Sequence, residues 1–400
     1  MPKEKIGLMG GSFNPIHERH LEMASCALKE AKLDRVLFLP TGNPPHKKTG
    51  LEEAEHRYEM TRLAVSGIPG FEPCRVELER KGTIYTVDTL AILKKQYPNA
   101  EFYYIIGEDT FFDLPNWRKP EKVFELTRFL VCRRDTHDPE EDPRCGKIRK
   151  MGCKYAFLSL PPRDVSSTDV RAELAAGGDP DELKPQVIEY IRLMGLYGRE
   201  PSPAMGEAAY ARLKKNLSEK RLLHSLLVCW SARHLARLHG VDEDRAATAA
   251  LLHDCAKCLP LSAMQQIARE HRLLIDKMTL QSGNLLHGPV GAVVAEKEYG
   301  ITDPNVLAAI RCHTTGKVGM LPLDMIVFLS DKIEPSRRSY PALEEVRRLA
   351  KESLPAAMSY SLRSTLEYVK SQGGEPHPAT QQVADWLDRL MAQQRSNENE

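Results

Sequence analysis

The run Gly10-Gly11-Ser12-Phe13-Asn14-Pro15-Ile16-His17-Glu18-Arg19-His20 puts two glycines, a short polar turn and two histidines into one stretch. It lies between a strand-like segment, Ile6–Met9, and a helical pattern from about Ile16 to Lys32. In an open α/β sheet, ligands bind at the carboxyl ends of the strands. Glycines there let the backbone approach a phosphate, and the following helix start offers free N–H groups. His17 and His20 are at i and i+3, so they share one face of the first turn and can both donate to a polyphosphate. The plain alternative is an ordinary βα turn with two surface histidines. A second stretch, Val165-Ser166-Ser167-Thr168-Asp169-Val170-Arg171, reads as a capped helix start. Its hydroxyls and N–H groups suit phosphate oxygens, with Arg171 reaching back one turn.

The other chemistry-bearing residues come late in the chain: His224, His253-Asp254, His287, His313 and Asp331. An adjacent His and Asp is by itself a small signal. Six candidate ligands on separate helical segments are a larger one. Imidazole and carboxylate together suit a transition metal such as iron, manganese or zinc. Two such ions would activate water and neutralise a phosphoryl group.

The elements that must position these residues fall into two classes. Up to about residue 197, strand-like runs (Ile6–Met9, Val36–Leu39, Arg75–Leu78, Phe102–Ile106, Phe129–Val131, Tyr155–Leu158) alternate with helical patterns such as Val87–Gln96. That alternation predicts a Rossmann-like parallel sheet covered on both faces. Residues 198–206, GREPSPAMG, read as a linker. From 207 to 392 the strand signals stop and helical periods follow: Lys220–Leu238, Glu243–His253, Leu261–His271, Val290–Tyr299, Asn305–His313, Asp324–Ile333, Leu343–Leu349, Ala356–Lys370 and Gln381–Ala392. Residues 393–400 form a polar tail.

The chain has 400 residues, more than one ordinary core accommodates. A net charge of +1 gives no overall field that would favour nucleic acid or an anionic membrane. No apolar run is long enough to span a bilayer, and the first residues lack a signal-peptide pattern. Nine scattered cysteines point to the reducing cytoplasm. Cys255 and Cys258 make a CxxC, read as part of a buried helix rather than a redox pair.

The two N-terminal stretches together resemble the HxGH nucleotidyltransferase superfamily. Pro44-Pro45-His46-Lys47, Tyr85-Thr86-Val87-Asp88-Thr89-Leu90, Gly107-Glu108-Asp109 and Trp117 narrow the resemblance to bacterial nicotinate-nucleotide adenylyltransferases, over residues 4–197. That resemblance implies ATP, carried with Mg2+, and nicotinate mononucleotide as substrates. It implies ATP contacts from Gly10, Gly11, Ser12, Phe13, Gly107, Asp109, Ser166, Ser167 and Thr168. Nicotinate-nucleotide contacts would come from His46, Thr86 and Trp117, and charge stabilisation from His17, His20, Lys47 and Arg171. The departure is Arg19, which stands where the family has glycine; its side chain either reaches solvent or crowds the nucleotide. The order H…HD…H…H…D, with the sequences around it, resembles the HD-domain symmetrical diadenosine tetraphosphatases over residues 208–372. By that resemblance His224, His253, Asp254 and Asp331 bind one metal and His287 and His313 complete a second. Asp254 is catalytic, Lys257 and Arg337 contact phosphate, and a dinucleoside polyphosphate is the substrate. The rival reading makes the HD half a non-catalytic nucleotide-sensing module. Homo-oligomerisation is compatible with either.

Overall fold

The computed structural model describes residues 3–42, 50–80, 82–133, 142–161, 163, 165–201 and 206–397, with side chains to residue 393. His46, Lys47 and part of the expected linker lie outside the described residues. The chain divides into two compact units, one of residues 1–191 with 196–199, the other of residues 192–195 with 200–400.

The first unit is built on six strands: β1 (Lys5–Gly11), β2 (Arg35–Pro40), β3 (Phe71–Pro73), β4 (Glu101–Gly107), β5 (Thr127–Cys132) and β6 (Tyr155–Leu158). All pairings are parallel, in the order β3-β2-β1-β4-β5-β6. The helices are α1 (Glu18–Glu30), α2 (Ala54–Val65), α3 (Thr86–Gln96), α4 (Glu108–Asp113), α5 (Pro120–Leu126), α6 (Pro143–Lys150), α7 (Ser167–Ala175) and α8 (Pro185–Met194). The central strands are apolar on both faces because helices cover both; Ile6, Leu8, Phe38, Leu39, Phe102 and Phe129 are all buried. Strand order reverses between β1 and β4, which opens a crevice at their carboxyl ends. Gly10–Gly11 and Gly107 stand there.

The third strand is displaced from its expected position. Pairing runs over Phe71–Pro73, and Arg75–Leu78 forms a turn in which the Leu78 N–H donates to the Arg75 carbonyl at 2.8 Å. Val76 and the apolar residue two places on imitate strand alternation, but the last bond to β2 is from the Cys74 N–H to the Phe38 carbonyl at 2.8 Å, after which the chain closes the turn; Pro73 is tolerated because β3 is an edge strand.

The second unit is helical: α9 (Glu207–Asn216), α10 (Glu219–Leu238), α11 (Glu243–Leu252), α12 (Leu261–Glu270), α13 (Lys277–Leu280), α14 (Gly283–Tyr299), α15 (Pro304–Cys312), α16 (Pro322–Ile333), α17 (Pro341–Glu352), α18 (Leu354–Ser371) and α19 (Pro378–Asn397). No helix among the described residues is long and apolar enough to cross a membrane. Several expected boundaries differ, three of them as follows. α11 stops at Leu252, so His253, Asp254 and the CxxC lie in the turn that follows rather than on a helix. α19 runs past residue 392. α14 begins at Gly283 instead of Val290 and carries Pro289 inside it. That proline removes the N–H that would bond the Leu285 carbonyl. The Thr314 hydroxyl faces this carbonyl at 3.5 Å, so the helix tolerates the proline.

At the crevice, Gly10 is required by the fold itself. A Cβ there would run into the Tyr104 hydroxyl on the neighbouring β4. Gly10→Ala should therefore destabilise the first unit by about 1–3 kcal/mol through overpacking. Tyr104→Phe in the same chain should recover part of that loss. Denaturant unfolding of the two variants checks it, and a double variant no more stable than Gly10→Ala would sink the steric account.

Candidate nucleotide-transfer site and candidate metal centre

The two N-terminal stretches, far apart in sequence, meet at the crevice. His17 caps α1, and its Nε2 lies 3.1 Å from the Ser167 hydroxyl at the start of α7. Ser166 caps α7, its hydroxyl accepting from the Thr168 N–H at 3.1 Å. Arg171 donates to the Thr168 hydroxyl at 3.2 Å and to the Asn14 carbonyl at 2.9 Å. The His17 and His20 rings are 3.8 Å apart, and His20 meets the buried Phe13 edge-on at 5.1 Å. Phe13 has φ 45, the left-handed conformation that turns the chain from the Gly-Gly strand end into the helix.

The protonation states follow from these contacts. The His17 backbone N–H donates to His20 Nδ1 at 3.3 Å, so a neutral His20 carries its proton on Nε2. His17 Nδ1 is buried with no hydrogen-bond partner. Burial, assisted by the charge of Arg163, pulls His17 from 6.5 to about 4. Burial, with His17 beside it, also pulls His20 well below 6.5. Two neutral imidazoles suit an anion as hydrogen-bond donors.

Asn14 and Arg57 hold the surrounding turns. The Asn14 amide donates to the Gly50 carbonyl at 2.9 Å and accepts from the Glu52 N–H at 3.2 Å and the Tyr197 hydroxyl at 3.0 Å. Arg57, 1% exposed, donates to the carbonyls of Ser12 (2.7 Å), Thr41 (2.6 Å), Gly42 (3.2 Å) and Glu52 (2.9 Å). One guanidinium thus ties the turn after β1 to the turn after β2. Residue types in sequence carry no sign of this, since an arginine on a helix normally reads as a solvated charge.

On the other side of the crevice, Trp117 packs edge-on to Tyr104 at 6.0 Å, and Tyr104 also bonds the Thr86 side chain. Trp117 and Thr86 therefore share one wall. Gly107 has open space where a Cβ would be, and Asp109 is exposed at the start of α4. Arg19 neither reaches solvent nor lies free in the crevice. It is buried, 8% exposed, and folds along α1 to Glu22 at 3.3 Å.

In the second unit, α10, α14, α15 and α16 and the turn after α11 converge on six side chains. His224, His253 and Asp254 bring ligand atoms within 4.8 Å of one another, as do Asp254, His287 and His313. Asp254 belongs to both groups. His287 Nε2 is 3.0 Å from Asp254 Oδ1 and 3.0 Å from His313 Nε2, and His224 Nε2 is 3.0 Å from Asp331 Oδ1. Each imidazole is engaged on its far side. His253, His313 and His287 direct Nδ1 at the backbone carbonyls of Ala250 (2.6 Å), Ile310 (2.7 Å) and Gly283 (3.1 Å). His224 directs Nδ1 at Glu334 at 3.3 Å. A carbonyl only accepts, so in His253 and His313 the proton sits on Nδ1 and the Nε2 lone pair faces inward, the arrangement metal-binding histidines use. The Nε2 atom of His253 is buried without a hydrogen-bond partner.

Charge states agree with ligation. Burial opposes ionisation of Asp254, but His253, His287 and His313 outweigh it and hold the carboxyl well below the carboxylate range. Burial, with His253 and His287 nearby, pulls His313 to about 3. Burial opposes protonation of His224, but its contacts with Asp331 and Glu334 outweigh it and raise its pKa, so an ion entering there must displace a proton. Neutral imidazoles beside ionised carboxylates are the form that binds a divalent ion, and the residues fit a metal pair. Around them stand cations: Lys257 Nζ is 3.3 Å from His287 Nδ1 and Arg337 is 2.9 Å from Asp331 Oδ1. Arg221 is 2.7 Å from Asp254 Oδ2. Arg221 and Glu334 carry no role in the sequence reading, although both lie within the matching motifs. Cys255 is buried and its thiol is pushed up by burial, while Cys258 is exposed.

Comparison with known proteins agrees with this division. Residues 8–173 match the cytidylyltransferase-like family and residues 221–336 match the HD domain. A protein of Lachnoclostridium phytofermentans named as a probable nicotinate-nucleotide adenylyltransferase is 38% identical over 48% of this chain and 98% of its own length. The chain belongs to the nicotinate-nucleotide adenylyltransferase family. To this it adds the HD domain, which contains every one of the six clustered His and Asp residues. A Mycoplasma genitalium protein named as a probable nicotinate-nucleotide adenylyltransferase/Ap4A hydrolase is similar across both parts, 29% identical over 92% of this chain and 99% of its own. A solved Clostridium acetobutylicum structure, described as a predicted HD superfamily hydrolase involved in NAD metabolism, is 36% identical, covering 45% of this chain and 95% of that one at TM-score 0.44.

Two outcomes are expected. With His17 at about 4 and His20 also held well below 6.5, neither ring should titrate near 6.5 in the free protein. Because the unfolded chain binds more protons than the folded one between about 4 and 6.5, these rings should make stability fall as pH falls through that window. Histidine NMR titration, assigned with His17→Gln and His20→Gln, checks it; a midpoint near 6.5 for either ring would contradict the burial argument. Second, Arg57→Met should cost the first unit on the order of 3 kcal/mol, because several buried carbonyls lose their donor. Denaturant unfolding measures this, and a loss under about 1 kcal/mol, the worth of one ordinary hydrogen bond, would show that water or neighbours replace the fork.

Proposed function

We propose that the first unit transfers the adenylyl group of ATP to nicotinate mononucleotide, releasing pyrophosphate and forming deamido-NAD. We propose that the second unit hydrolyses a dinucleoside tetraphosphate symmetrically, giving two molecules of ADP from diadenosine tetraphosphate. The observation that supports the first reading is the meeting of His17 with Ser167 at 3.1 Å, at the point where strand order reverses. Its counterpart in the second is the pair of His/Asp groups that share Asp254.

In the transfer, a phosphate oxygen of the mononucleotide attacks the α-phosphorus of ATP and pyrophosphate leaves. The attacking group is already ionised at neutral pH, so no protein base is required. The residues align the reactants and stabilise charge. Gly10 to Phe13 and the starts of α1 and α7 (Ser166, Ser167 and Thr168) receive the triphosphate. His17 and His20 donate to its oxygens, and Arg171 and Lys47 add charge. Mg2+ accompanies ATP. Gly107 and Asp109 take the ribose, and Trp117, Thr86 and His46 take the nicotinate nucleotide.

In the hydrolysis, His224, His253, Asp254 and Asp331 would hold one ion and His287 and His313, with Asp254, the other. Bound there, two transition ions, iron in our reading with manganese or zinc as the alternatives, would supply activated water and phosphoryl charge neutralisation. Lys257 and Arg337 orient the polyphosphate. Free cysteines throughout accord with a cytoplasmic setting.

Reciprocal variants of the intact chain test both assignments. His253→Ala with Asp254→Ala should lose bound metal and hydrolysis and keep adenylyl transfer. His20→Ala should lose transfer by about 100-fold or more, the scale of an oxyanion-type donor, and keep hydrolysis. Metal analysis and product identification for both reactions give the answer. Hydrolysis at the wild-type rate in the first variant overturns the metal site. Loss of transfer there, with the first unit folded, favours a sensing role for the HD part.

A further inference from the structure

The second unit contains a cavity of 750 Å³ that the hydrolytic centre does not use. Its walls come from the α12–α13 connection, from α14 and α15, and from the turn after His313. On α14 the lining residues are Leu285 and Pro289, on either side of His287. At about 100° per residue, His287 points away from the cavity that these two line. On α15 the lining residues include Leu307 and Arg311, and the helical advance again turns His313 to the other side. The two helices touch at Gly288, where a Cβ would meet the Arg311 carbonyl oxygen at 3.0 Å. The cavity therefore lies behind the helices that carry two of the candidate ligands.

Its chemistry is specific. Arg272 and Arg311 are exposed and have no ion-pair partner among the described residues. Lys317, also in the lining, is held by Asp324 at 2.9 Å. The one lining carboxylate, Asp276, is already engaged by the Thr279 hydroxyl at 2.6 Å and by His377 at 3.3 Å. Arg272 has φ 50, a conformation unfavourable for a residue with a side chain. It is the left-handed residue that ends α12, where the Leu273 N–H donates to the Ala268 carbonyl at 2.9 Å, and it turns the Arg272 side chain off the helix axis. Leu274, at 103% relative exposure, stands fully open on the rim. An apolar wall facing two unpaired guanidiniums, in a space of ligand size, matches a flat base joined to phosphates.

We propose that this cavity is a second nucleotide site, taking a nucleoside polyphosphate with its phosphates on Arg272 and Arg311 and its base against Leu285 and Leu307. Occupancy braces α14 and α15 and so biases the spacing of His287 and His313. That coupling rests on the metal reading of the centre; binding to the cavity does not.

Hydrogen-exchange mass spectrometry on the intact chain tests it, with millimolar ADP as the probe. ADP should slow exchange in segments covering 272–279 and 311–317, and should do so equally after metal is stripped with a chelator. Arg272→Glu with Arg311→Glu should abolish this protection while leaving the melting temperature unchanged, each lost contact weakening ADP by about tenfold. Absence of protection, protection that vanishes on metal removal, or protection that survives charge reversal would each overturn the site. The stripped protein has no hydrolysis to lose, so failure of the hydrolase reading would leave this result standing.

Discussion

A charged group buried away from water is tolerated only if every donor it carries is satisfied. Arg57 meets that condition by donating its five N–H groups to four backbone carbonyls and the Thr41 hydroxyl, and in doing so it ties Ser12, after β1, to Thr41 and Gly42, after β2. The Gly-Gly turn, the cap of α1 and the Asn14 network all hang from those loops. Asn14 extends the same logic, joining Gly50, Glu52 and Tyr197 and presenting its own carbonyl to Arg171. The described turns at the strand reversal are therefore held by the fold's own hydrogen bonds, which suits a reaction driven by alignment.

The HD unit solves a related problem with the opposite charge. Asp254 is a buried carboxylate surrounded by imidazoles that are each pinned from behind, three by carbonyls at the ends of helical turns and one by Glu334. Pinning leaves four Nε2 atoms facing one region and keeps them neutral or paired. Even the proline inside α14 fits this scheme, because the carbonyl it frees is faced by the residue that follows the ligand His313.

Local signals in the sequence carried much of this. Continuous apolar runs located five of the six strands, since strands buried on both faces cannot be polar. The cap of α7 and the periods of most helices were equally visible. Misplacement came where a short pattern has two physical readings. Val76 and its neighbours alternate like a strand but close a turn, and Pro289 looks like a helix boundary but sits inside α14. The helix α9 went unread beside a Pro/Gly-rich segment.

By itself, the sequence determined which residue types are available and which side of an element each occupies, because helical and strand periods are properties of neighbours along the chain. It also determined the family, since the motifs are contiguous. Only the tertiary structure decided that His17 meets Ser167, that Arg57 reads four carbonyls, that Arg19 lies folded on Glu22, and that one carboxylate, Asp254, serves two groups of histidines. Apart from the Arg19–Glu22 pair, which lies one turn apart on α1 and was open to other rotamers, these join segments remote in sequence, and their approach depends on how whole helices pack, which no local periodicity encodes.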